Sequence, residues 1–156
     1  MENKNATAAD AELVLRLYDL RRESEMRNAR NWFAGEFWPH SFADVEQTMM
    51  KFGSPQSRYL GQVMSYWETA SSLVVRGALH PGLFFDSCHE AWGCYAKIKP
   101  FLKECRAKFM PDFMMNLEKA IEGSAEGRKR LQAMEERMAA MMEEKMKHKT
   151  PATEAA

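Results

Sequence analysis

Between Leu60 and Phe109 the apolar positions fall into two seams of matching period, separated by Arg76-Gly77-Ala78-Leu79-His80-Pro81. Leu60, Val63, Trp67, Ala70 and Val74 step three and four residues at a time. Phe84, Cys88, Ala91, Tyr95, Ile98, Leu102, Cys105 and Phe109 keep the same rhythm. This is the spacing of one helix face repeated so as to pack lengthwise on another helix. A break this short folds two such helices back on each other. The pattern therefore predicts a helical hairpin with arms at about 55–76 and 81–109, Gly77 ending the first arm in the left-handed conformation. Pro100 lies inside the second arm and removes the amide that would bond to the Ala96 carbonyl. The stripe keeps phase across it, so a kink is expected there and not a break.

The flanking segments read the same way. A first helix is expected from Ala8, with Thr7 as N-cap and Asp10 completing a capping box. Leu13, Leu17 and Leu20 mark its buried face, with Val14 and Tyr18 beside them. From Arg21 to Asn31 it turns polar, and Arg21, Arg22, Glu23, Glu25, Arg27 and Arg30 read as a solvated helix face or, alternatively, as an Arg-rich partner surface. Trp32, Phe33, Phe37, Trp38 and Phe42 gather around Pro39 as a core corner where two helices meet. Ser41 and Asp44 cap a short helix striped by Phe42, Val45, Met49 and Phe52, and Ser54-Pro55 opens the hairpin. A further helix, 111–122, carries Phe113, Met114, Leu117 and Ile121, with Gly123 as terminator. Ser124 then caps a last helix to about His148, on the order of 35 Å long.

Nowhere do β-branched and aromatic residues alternate with a period of two. The expectation is an all-α fold: a bundle of five or six helices around a central antiparallel hairpin, with a long C-terminal helix. One domain, 1–149, accounts for the chain, with 1–7 and 150–156 as disordered tails.

Ser65-Tyr66-Trp67-Glu68, Leu73-Val74-Val75-Arg76-Gly77-Ala78-Leu79, Leu83-Phe84-Phe85-Asp86 and Lys97-Ile98-Lys99-Pro100-Phe101-Leu102 together carry a resemblance. The middle third of the chain is similar to a family of uncharacterised bacterial all-helical domains. There an aromatic-Glu helix turns at an Arg-Gly step into a Leu-Phe-rich helix. The resemblance implies an all-α fold and a bacterial source, and no activity, cofactor or catalytic residue.

Charge narrows the function. In 156 residues, 22 basic and 22 acidic side chains cancel, so nothing favours nucleic acid or an anionic membrane, both of which call for a basic surplus. No apolar run is long enough to span a bilayer, and no signal-like segment opens the chain. A cytoplasmic protein with three packed, reduced thiols is expected.

Chemistry is sparse. Asp86, His89 and Glu90 resemble half of a carboxylate–His metal motif, but a second half is missing. Cys88 and Cys94 lie on different helix faces, and Cys94 and Cys105 lie about 16 Å apart along one. No nucleophile–base set, glycine-rich phosphate loop or paired histidine is found, so neither a cofactor nor catalysis is expected. Glu68, beside Trp67, is the candidate half-buried carboxylate, read as a structural partner of Arg106 or Lys97. The last helix carries the most suggestive pattern: Leu131, Met134, Met138 and Met141 step 3-4-3, with Met142 and Met146 alongside. That seam covers the bundle, or it pairs with a second copy or a partner groove, since Met faces adapt to what they bind. Copper(I) on the thioethers is the remote third reading. The leading expectation is a non-catalytic interaction protein that associates with itself, as a homodimer, or with another protein through this helix. The rival is a binder of a small apolar ligand held between the aromatic knot and the hairpin, and an unidentified enzyme comes third.

Overall fold

The computed structural model describes residues 5–149, apart from the side chains of residues 145, 146, 148 and 149. The expected tails at 1–4 and 150–156 lie outside the described residues. Thr7, by contrast, is engaged: its hydroxyl accepts from Asp10 N while the Asp10 carboxylate accepts from Thr7 N, the capping box that opens α1 (Ala8–Arg22). The described residues form helices joined by turns and short loops, with no strand among them.

α4 (Pro55–Val75) is the organising helix. Its seam residues Leu60, Val63, Trp67 and Ala70 are fully buried. Its largest neighbours are α2 (Ser24–Gly35) and α8 (Met115–Glu122), and it touches α6 (Glu90–Ile98) less extensively. α3 (Phe42–Met50) packs on α4 as well, and α1 packs on α2 and on α5 (Pro81–Ser87). Phe84 sits at the centre, with Trp67 edge-on at 6.4 Å and Trp92 at 5.9 Å. Burial of each such side chain contributes about 1.5–3 kcal/mol.

The second seam is segmented. Phe84, Cys88, Ala91, Tyr95, Ile98, Leu102 and Cys105 are all buried, as their spacing requires. The chain nevertheless leaves helical geometry at Cys88 (φ −119°, ψ 41°). Two arginines from elsewhere stabilise the end of α5: Arg21 donates to the Ser87 carbonyl at 3.3 Å, and Arg130 donates to the Phe85 carbonyl. At Pro100 the chain stays helical, tightening into a 3₁₀ turn (Lys99–Phe101) before α7 (Leu102–Lys108). Gly77 ends α4 with φ 73°.

The first helix also divides, at Glu23, whose extended backbone (φ −55°, ψ 141°) and carboxylate, accepting from Met26 N at 3.0 Å, start α2 in a new direction. Arg30 donates to the Arg21 carbonyl left at the end of α1. The described residues thus hold more and shorter helices than five or six. The turn also changes which residues are covered. Leu17 is buried, but Leu20 and Tyr18 are exposed, and Arg21 and Arg30 of the supposed solvated face point inward.

α9 (Ala125–Lys149) closes the bundle on α6 and α8. Ser124 caps it by accepting from Gly127 N at 3.0 Å. Gly127 is buried because α9 starts hard against the end of α8: a Cβ there would lie 2.0 Å from the Ile121 carbonyl oxygen. The Trp92 indole N–H donates to the Gly127 carbonyl at 3.0 Å, tying α6 to the first turn of α9.

Candidate functional site

The Met seam of α9 faces inward. Leu131 is buried, and Met134 and Met138 are half-buried against the main core. Met141, 41 % exposed, lies at the edge of that contact, and Met142 is half-buried. The Met146 side chain lies outside the described residues.

Between this seam, the end of α2 and the outer face of α6 runs a groove of about 190 Å³. Its apolar wall is made by Phe33, Trp38, Cys94, Met134, Met138 and Met141, and its floor is open because residue 93 is glycine. A Cβ at Gly93 would meet only the Met134 sulfur, at 3.9 Å. Continuing along α9, a second cavity of about 220 Å³ is bordered by His89, Trp92, Arg130 and Ala133. Met134 and Arg137 border both.

Three charges shape the groove. Lys97 is buried on α6, with its ammonium at the C-terminal end of α2, donating to the carbonyls of Phe33 (2.5 Å), Phe37 (2.8 Å) and Ala34 (3.3 Å). Carbonyls exposed at a helix end carry partial negative charge, which a cation offsets. The same ammonium lies 3.9 Å from the centre of the Trp38 ring, a cation–π contact that fixes the indole as one lip of the groove. Glu90 borders the groove too, but its carboxylate is held by Arg30 through contacts of 2.6–2.9 Å. This contact raises the Arg30 pKa further. Arg137 makes no ion pair among the described residues and is exposed. Burial pushes the Cys94 thiol far above its ordinary range, so it lines the groove as an uncharged, unreactive group.

Glu68 is half-buried, as its neighbours in sequence suggest, but its partner is neither Arg106 nor Lys97. One carboxylate oxygen accepts from Asn116 N at 2.9 Å and Asn116 Nδ2 at 2.7 Å, and the other accepts from Leu117 N at 3.0 Å. These are the amides that an N-cap side chain serves, and the residue at the cap of α8, Met114, has φ 54° and no oxygen to offer. Arg106 instead holds Glu118 at 2.7 Å and the Phe113 carbonyl at 3.1 Å. Glu68 is thus a helix cap supplied from another helix.

Asp86, His89 and Glu90 do not converge. Asp86 faces Arg130, Glu90 is held by Arg30, and no group of three His, Cys, Asp or Glu side chains among the described residues is placed to hold a metal. No helix among them is long and apolar enough to cross a membrane.

Residues 6–124 match the family model of a domain of unknown function, DUF4760. The chain belongs to that family. No curated protein matches it, and no solved structure does. The DUF4760 match stops at Ser124, the residue before α9, so the groove has one wall inside the matched segment and one beyond it.

Sequence reading offers an apolar space between the aromatic knot and the hairpin, but neither the α9 wall of the groove nor the Lys97 contact. Phe33 and Trp38 were visible as core aromatics, and the Met seam as an interaction stripe. Lys97, one position from the buried Ile98, was the available signal: a lysine within an otherwise apolar arm needs a buried partner. That the partner is the end of α2 could not be read from spacing.

Proposed function

We propose that this protein is a non-catalytic helical binding domain whose site is the groove between the α9 Met seam and the aromatic end of α2. One observation carries this reading: the Met seam packs on α6 yet leaves an apolar space of about 190 Å³ beside Gly93. An empty apolar cavity of about 150 Å³ in another protein is large enough for benzene. Ligand sites combine such an apolar wall with a few fixed polar groups, and Met side chains repack around varied shapes.

The test is thermal unfolding with 1-hexanol, toluene and indole as probes. At tenfold excess over Kd, binding adds about 1.4 kcal/mol, a rise of about 3–5 °C in Tm for a chain of this size. Gly93→Leu fills the groove floor and should abolish the rise. No rise with any probe, or an equal rise in Gly93→Leu, refutes the reading.

A second reading, self-association or pairing with another protein through the distal part of α9, is favoured by the exposure of Met141 beyond the last seam residue that packs on the core. Subunit number in a native mass spectrum tests it: a monomer that captures no partner counts against it.

A further inference from the structure

The groove is apolar in its walls but not neutral in its charges. Lys97 brings a positive charge to its inner end, where three carbonyls hold it. Glu90 is offset by the two-pronged contact with Arg30. The second cavity adds Arg130, whose charge is committed to Glu126 at 2.7 Å and to Asp86 at 3.4 Å. Arg137 differs from all of these. It stands between the two cavities, one helical turn from Met134 and one from Met141, and makes no ion pair among the described residues. An exposed guanidinium at the junction of two apolar spaces is a fork of N–H donors matched to a planar carboxylate.

Resting on the groove as a binding site, we infer that its ligand is a small organic carboxylate. The apolar body, of about six to eight carbons, lies between Trp38 and the Met seam, and the carboxylate is held by Arg137. Size argues against a long chain, since the space slightly exceeds a benzene-sized cavity. Charge argues against a cation, because Arg137 stands at the groove with no ion pair among the described residues, while the Lys97 ammonium is already held by three carbonyls. A neutral apolar molecule would leave Arg137 without a partner and gain nothing from it.

The test is isothermal titration of the full chain with two ligands of matched body, hexanoate and 1-hexanol, at pH 7 and low salt. The expected result is a hexanoate Kd at least tenfold below that of 1-hexanol. Arg137→Gln should erase that advantage while leaving 1-hexanol within twofold, and Arg137→Lys should restore part of it, since it keeps the charge without the fork. The variants change an exposed side chain, so folding is not at issue. Equal or tighter binding of 1-hexanol, or an unchanged preference in Arg137→Gln, overturns the carboxylate assignment and leaves the groove reading standing. Binding of neither ligand overturns both.

Discussion

Removing the Glu68 carboxylate tests whether the α4–α8 contact depends on a cap from outside α8. In Glu68→Ala, Asn116 N and Leu117 N lose their acceptor, and the Asn116 side chain loses its partner. Loss of a side-chain cap costs about 0.5–2 kcal/mol, and each hydrogen bond to a charged group contributes about 1.5–3 kcal/mol. Half-burial lets water replace part of this, so the net expectation is about 2 kcal/mol. Met114, left-handed and without a polar atom suited to capping, cannot substitute. Glu68→Gln keeps one acceptor oxygen but turns an NH₂ toward an amide N–H, so about half the loss is expected. Urea unfolding measures the cost, and amide hydrogen exchange at Asn116 and Leu117 locates it. A Glu68→Ala protein within 0.5 kcal/mol of wild type, with unchanged exchange at both amides, would refute the cap.

Three further outcomes follow from the packing. Lys97→Met fills a similar volume but leaves the α2 carbonyls without their cation, so a loss of about 3 kcal/mol is expected by urea unfolding; a neutral result would mean that the ammonium is not structural. Gly127→Ala places a Cβ against the Ile121 carbonyl and loosens the α8–α9 junction, lowering Tm by several degrees; an unchanged Tm with an unchanged Trp92 environment contradicts the close approach. Burial pushes the Cys88 and Cys105 thiols up to about 11 from an ordinary value of 9.0. The unfolded chain then releases these protons first, so stability is full below pH 9 and falls as pH rises through that range. Urea midpoints between pH 7 and 10 check the sign, and a midpoint that climbs with pH contradicts it.

What was legible in the chain and what was not divide along a physical line. Periodicity reports which side of a helix is buried, and the two seams around Gly77 are buried with little exception. Local caps are equally readable: Thr7 with Asp10, Ser41 with Asp44, Ser54 and Ser124 all accept from the amides their spacing predicts. Illegible were the helix ends whose partners come from distant residues. Arg30 serves the end of α1, Arg21 and Arg130 the end of α5, Lys97 the end of α2, and Glu68 the start of α8. The break at Cys88 went unseen for this reason. The break at Glu23 has a local cap on Met26 N, but the polar run that continues the helical pattern masked it, and with it the exposure of Leu20. The α9 side of the groove was hidden by the same cause, since it lies where a tertiary cap, Lys97, meets a seam that was readable only as a stripe.

The seam itself raises a question about how its function is tested. Deleting everything beyond Gly123 is the obvious probe of self-association, yet the structure makes it a poor one. The Trp92–Gly127 hydrogen bond, the burial of Leu131, the Arg130–Phe85 contact and the Lys99–Glu135 ion pair at 3.3 Å all join α9 to the body, so the deletion strips a core surface and destabilises whatever remains. Two neighbouring methionines separate the readings without that damage. Met141 borders the groove and Met142 does not. Met142→Glu should dissociate an oligomer built on the distal part of α9 and leave 1-hexanol binding as it was. Met141→Glu should weaken 1-hexanol binding, with its charge set at the groove mouth, whether or not the subunit number changes. A wild-type monomer in which Met141→Glu alone loses ligand supports the groove. An oligomer dissociated by Met142→Glu, with no ligand response in any variant, instead makes the Met-rich helix an interface.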